Sequence, residues 1–126
     1  MTTAAHTYQS YAKINWFLHI TARRADGYHT LETVFQRIDW HDEIRITPRD
    51  DGQIILNSSV GNIPNAQNLI IRAADALKQF AQQAGQNVSP LGANIHLQKN
   101  IPMGAGLGGG SSNAATTLLA LNQLWH

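Results

Sequence analysis

The sequence predicts one α+β domain, a mostly antiparallel sheet packed with helices. Three observations predict it. Residues 8–20 and 30–40 alternate apolar and polar side chains with the period of a strand. Residues 69–84 repeat apolar side chains at helical spacing. An uncharged apolar segment, 114–125, follows a run of glycines and has the length of a core helix rather than of a membrane span. A chain of 126 residues suits one domain and leaves too little for two cores.

Taken in order, Tyr8 to Ile20 reads as a strand or strand pair, with Ala12, Ile14, Trp16, Leu18 and Ile20 on one face and Lys13, Asn15, Phe17 and His19 on the other. Asp26-Gly27 marks a turn. Thr30 to Trp40 reads as a second strand. Glu43 to Pro48 and Gln53 to Asn57 read as a hairpin about Asp50-Asp51-Gly52. Residues 58–68 are rich in Ser, Gly, Asn and Pro and read as a loop. A helix follows, with Leu69, Ile70, Ala73, Leu77, Phe80, Ala81 and Ala84 on its inner face and Gly85 as its stop. Asn94 to Lys99 reads as a strand with Ile95 and Leu97 inward, closed by Pro102.

Composition narrows the function. Charged residues make up 13% of the chain and the net charge is +1, which excludes a binder of polyanions that works by bulk charge. The chain has no cysteine, which excludes a disulfide scaffold, a thiolate metal site and a thiol nucleophile. The N-terminus shows no signal-peptide pattern, and the protein is expected in the cytoplasm. His6, His19, His41, His96 and His126 have no metal-ligand spacing. Asp39, Asp42, Glu43, Asp50 and Asp51 read as turn and surface carboxylates, and none is assigned to a metal.

The most informative segment is Met103 to Ser112. Gly104, Gly106, Gly108, Gly109 and Gly110 fall within seven residues. Glycines so dense read as positions for a left-handed backbone and for the close approach of a ligand to main-chain N–H groups. The segment opens a helix, whose first N–H groups lack intrahelical partners and favour an anion, phosphate above all. Ser111 and Ser112 add hydroxyls able to cap the helix, to bond phosphate or to ligate Mg²⁺. A flexible linker is the bland alternative, but linkers seldom sit between a strand and so apolar a helix. The Walker pattern fails, because Gly110 stands where its Lys would be. A dinucleotide GxGxxG does match at Gly104, Gly106 and Gly109, but its acidic ribose partner would fall beyond His126.

The segment from Pro102 to Ala115 resembles the nucleotide loop of the GHMP kinases, among them galactokinase, homoserine kinase, mevalonate kinase and phosphomevalonate kinase. Ala12-Lys13-Ile14-Asn15-Trp16-Phe17-Leu18 and Arg24-Ala25-Asp26-Gly27-Tyr28-His29 extend the likeness over residues 10–125. Together with the triple glycine before Ser-Ser-Asn, they are similar to the branch that acts on 4-diphosphocytidyl-2-C-methyl-D-erythritol in the non-mevalonate isoprenoid pathway. The resemblance implies a two-layer GHMP-kinase N-terminal domain, like the second domain of ribosomal protein S5. It implies an ATP-dependent transferase that phosphorylates the 2-hydroxyl of that small-molecule substrate, with Mg²⁺ on the nucleotide.

Roles follow residue by residue. The resemblance makes Lys13 catalytic, a cation beside the acceptor hydroxyl, where spacing alone suggests an ordinary strand charge. It makes Asn15 a substrate contact, stacks the cytosine on Tyr28 and pairs it with His29. It places Asn68, Leu69, Lys99, Pro102, Met103, Gly104, Ala105, Gly106, Leu107, Gly108, Gly109, Gly110, Ser111 and Ser112 at ATP. Residue preference reads Asn68 instead as a helix cap, and both roles are compatible. The family's later Gly-Ala-Asp segment, with its catalytic base, and its second domain are not among these 126 residues. The chain alone is therefore expected to be an N-terminal portion with weak or no turnover, and to expose Leu118, Leu119, Leu121, Leu124 and Trp125 for self-association. Two alternatives stay open: a kinase of the same family for a different alcohol, and a non-catalytic nucleotide-binding fragment.

Overall fold

Isoleucine, leucine and alanine at every second position build the centre of the sheet. The computed structural model describes the backbone of residues 4–23, 25, 29–59, 64–102 and 107–125, and the side chains of 4–15, 25, 36–59, 69–102 and 107–125. Four strands, β1 (His6–Arg23), β2 (His29–Arg49), β3 (Ile54–Ser58) and β4 (Gly92–Gln98), lie in the order β1-β2-β4-β3. Two helices, α1 (Pro64–Gln83) and α2 (Gly109–Trp125), cover one face. In β2 and β4 the register sets Ile44 against Leu97 and Ile46 against Ile95, and on the far side Leu56 of β3 pairs with Ile95. Ile44, Ile46, Ala93, Ile95 and Leu97 pack with Ile70 and Ala74 of α1 and Ala120 and Leu121 of α2. The α+β class holds, as does the inward placement of Ile95 and Leu97.

The hairpin expected between Glu43–Pro48 and Gln53–Asn57 is not formed. Residues 43–49 of β2 pair with β4, which lies between β2 and β3, and β3 runs parallel to β4. The turn signal is real: Gly52 has φ 76°, and Asp51 accepts from Gln53 N at 3.1 Å and Arg49 Nε at 3.0 Å. The same signal also opens a strand–helix–strand crossover, which is what β3, α1 and β4 make. The two strands expected over 30–48 are one, β2.

Both helices start earlier than their apolar residues suggest. Pro64 takes the first helical position, where a missing N–H costs nothing. Asn68 is thus inside α1 and cannot be its N-cap, and residues 64–68 are helix rather than loop. Gly85 ends α1 as expected. Its φ is 87°, its N–H donates to Gln82 O and that of Gln86 to Ala81 O, each at 3.0 Å. Phe80, expected on the inner face, is 70% exposed. At 100° per residue it lies about 80° or more round from the row Ile70, Ala74, Ala81, at the margin of the buried stripe. Ala84 is exposed as well. On α2, Leu119 is exposed, but Leu121 is fully buried, and Leu124 and Trp125 pack partly against the core, with Trp125 Nε1 donating to Gly92 O at 3.0 Å. The exposed apolar patch expected there is therefore confined to Leu118 and Leu119 on this helix.

Candidate functional site

Strand β1 changes register where Lys13 begins to matter. Tyr11 pairs with His41 and Lys13 with Arg37, so Ala12 alone faces three residues of β2, 38–40. The extra residues stand on β2, and a bulge of this kind bends the strand that carries it. Beyond it, Lys13 N donates to Leu107 O at 2.9 Å, which ties the strand to the loop ahead of α2. The Lys13 ammonium donates to Asn15 Oδ1 at 2.6 Å. These two residues share a face as expected, and both are half-buried.

The described glycines of the loop serve neighbouring side chains as much as main-chain freedom. Gly108 has φ 70°, and a Cβ there would stand 2.8 Å from Lys13 Cε. A Cβ on Gly109 would stand 2.9 Å from Lys99 Nζ, and one on Gly110 the same distance from Leu69 Cδ1. Three side chains expected at the active centre, those of Lys13, Lys99 and Leu69, thus converge on three successive glycines. Beyond ligand approach, these glycines make room for side chains that pack on them, which their sequence alone does not show. Ser112 N closes the first helical turn onto Gly108 O at 2.9 Å. The N–H groups of 109–111 precede that bond and face the start of the helix, where an anion is favoured.

Beneath the loop lies a buried polar network that the sequence reading missed. Asp42, taken for a surface carboxylate, has no exposed area. It accepts from Lys99 Nζ at 2.7 Å and Asn113 Nδ2 at 3.0 Å on one oxygen, and from the N–H groups of Asn100 at 2.6 Å and Ile101 at 2.8 Å on the other. Burial pushes its carboxyl up, but the donors, led by Lys99, outweigh that and hold it below the usual carboxylate range. Asn113 continues to Ser10 Oγ at 2.8 Å, and Ser10 Oγ donates to Ser112 Oγ at 2.9 Å. A signal for this existed. Asp42 has the parity of inward Ile44 and Ile46, Ser10 that of buried Ala12, and Asn113 falls on the buried stripe of Gly109, Thr117 and Leu121.

The other expected residues divide. Leu107, Gly108, Gly110 and Ser112 are half-buried, Gly109 is buried, and Pro102 and Ser111 are exposed. Tyr28, Met103, Gly104, Ala105 and Gly106 lie outside the described residues. His29 pairs with Arg23 through the backbone, and its side chain, like that of Asn68, lies outside the described ones. Among the described residues no three His, Asp or Glu side chains come together as metal ligands, and no helix is long and apolar enough to cross a membrane. Asp39, Glu43, Asp50 and Asp51 are exposed, as expected.

Known proteins are similar to this chain in sequence and fold. Residues 68–126 match the N-terminal domain model of the GHMP kinases. The 4-diphosphocytidyl-2-C-methyl-D-erythritol kinase of Paraburkholderia xenovorans (strain LB400) is 56% identical over 114 residues, covering 90% of this chain and 37% of that protein. The enzyme of the same name from Hahella chejuensis (strain KCTC 2396) is 54% identical over 125 residues, covering 95% of this chain and 41% of that protein. A crystal structure of 4-(cytidine 5'-diphospho)-2C-methyl-D-erythritol kinase superposes with a TM-score of 0.71 at 38% identity, over 95% of this chain and 41% of that one. The chain thus spans about two fifths of the length of these relatives.

Proposed function

From the premise that the chain belongs to the GHMP kinase family, as its N-terminal domain, we propose that it forms the ATP-binding part of a kinase for the 2-hydroxyl of 4-diphosphocytidyl-2-C-methyl-D-erythritol. The observation that carries this is the meeting of Lys13 with the glycine loop: a main-chain bond to Leu107 and an alkyl chain laid over Gly108. It brings a cation next to the amides that would hold the phosphates. The first amides of α2 would bind the β- and γ-phosphates, Leu69 would border the nucleotide, and Lys99 would hold the loop from below through Asp42. Lys13, steadied by Asn15, would favour the deprotonated acceptor oxygen and offset charge on the transferring group. Tyr28 and His29 would take the cytosine by stacking and edge hydrogen bonds.

Mg²⁺ would arrive with the triphosphate and neutralise its charge. Asp42 does not fit a protein-held Mg²⁺, because its carboxylate is closed by four donors. No described residue is assigned as its ligand, and none as the base that accepts the hydroxyl proton.

The test is titration of the chain with the cytidine substrate and, separately, with mevalonate. Saturable binding of the cytidine compound is expected, weakened at least about tenfold by Tyr28→Ala, with no binding of mevalonate. Equal binding of both alcohols, or indifference to Tyr28→Ala, would overturn the assignment of substrate.

A further inference from the structure

We infer that Ser10, a buried residue of β1, is a positioning residue that fixes the Ser112 hydroxyl as a hydrogen-bond donor to an anion. The inference rests on the nucleotide reading of the loop and adds a residue that reading does not contain. It begins at Asn113. Lys99 Nζ lies 3.3 Å from Asn113 Oδ1, while Asp42 Oδ2 lies 3.0 Å from Nδ2. Turning the amide over would set its N–H groups against an ammonium and its oxygen against a carboxylate, so one orientation is imposed. Both hydrogens of Nδ2 are then committed, one to Asp42 and one to Ser10 Oγ at 2.8 Å.

Ser10 therefore accepts from Asn113 and has its single hydrogen left to give. It gives it to Ser112 Oγ at 2.9 Å. Ser112 accepts in turn, so its own hydrogen is directed away from Ser10. Ser10, Asp42 and Asn113 are without exposed area, so water does not compete for these bonds, whereas Ser112 is half-buried and lines an open cavity of about 640 Å³ with Tyr8, Tyr11 and Arg37. The buried Lys99–Asp42 pair thus sets the polarity of a hydroxyl at the far end of this relay, in the first turn of α2. A donor so fixed suits a phosphate oxygen, which only accepts.

A double-substitution cycle tests this. Dissociation constants for Mg²⁺ with the β,γ-imido analogue of ATP are measured by calorimetry on the chain, on Ser10→Ala, on Ser112→Ala and on the double variant. Ser112→Ala is expected to weaken binding about tenfold and Ser10→Ala about threefold. Ser10 acts only through Ser112, so the double variant should be no weaker than Ser112→Ala, about tenfold, rather than the roughly thirtyfold of independent sites. Ser10→Cys, which keeps the volume but donates weakly, should match Ser10→Ala and serves if that variant does not fold. A purely structural Ser10 would weaken binding by the same factor whether or not Ser112 is present, and that additive result would overturn the inference, as would full affinity in Ser112→Ala. If the unsubstituted chain shows no saturable binding, the nucleotide reading fails and the inference with it.

Discussion

Replacing Asp42 by Asn separates the two halves of the buried network. The new amide oxygen could still accept from the N–H groups of Asn100 and Ile101, now 2.6 and 2.8 Å from the carboxylate. The other end of the side chain, however, would be an NH₂ facing the Lys99 ammonium and the Asn113 NH₂, with donors on both sides. The Lys99 side chain is only 6% exposed, so its charge would be stranded out of water. Breaking one side of a buried pair costs about 3–5 kcal/mol. With an unfolding entropy of about 2.1 cal/mol/K per residue, a chain of 126 residues gives about 0.26 kcal/mol/K, so Tm should fall by about 10–20 °C. Removing the charge as well, in Asp42→Asn with Lys99→Met, frees Asn113 to turn its oxygen toward residue 42 and should restore most of the loss. Thermal unfolding followed by circular dichroism reads both. A drop below about 4 °C for the single variant, or no recovery in the double, would refute the view that this pair anchors the loop.

Other outcomes follow from the same geometry. The folded-state pKa of Asp42 is lowered, so its stabilisation is present above the unfolded value of about 4 and is lost as pH falls through the folded one. The Tm gap between the chain and Asp42→Asn should therefore close below about pH 4 in melts taken from about pH 7 to about pH 2. Gly109→Ala should destabilise by about 1–3 kcal/mol in urea unfolding, because its Cβ would stand 2.9 Å from Lys99 Nζ and 3.2 Å from Ile101 Cγ2. Gly85→Ala, with nothing within 4 Å, should cost only the left-handed strain of about 1–2 kcal/mol. Phe80 and Leu119 are 70% and 72% exposed, and the chain should self-associate at high concentration in sedimentation runs, less so as Leu119→Glu.

Periodicity made the strands, the helices and the layer they share legible, because those features depend on which side of an element is apolar. Pairing was not, because Asp51-Gly52 opens a hairpin and a crossover alike, and only the insertion of β4 decides between them. The polar network was obscured for a different reason. Asp42, Lys99 and Asn113 are residues that usually face water, and their burial depends on one another across 71 positions of sequence. Parity alone pointed inward for Asp42, and the residue type argued against it. Lys13 lies between these cases: its strand was evident from alternation, but the bulge of β2 opposite Ala12 and the bond from Lys13 N to Leu107 O have no local sequence mark.

On the proposed function, main-chain amides at the start of α2 hold the triphosphate. Amide ¹H–¹⁵N spectra of the chain, recorded as Mg²⁺ and the imido analogue of ATP are added, test it most directly. The largest shifts are expected at residues 107–112, with Lys13 following through its bond to Leu107. Unmoved signals there, with shifts gathered instead on the outer face of the sheet around Arg45 and His96, would contradict it.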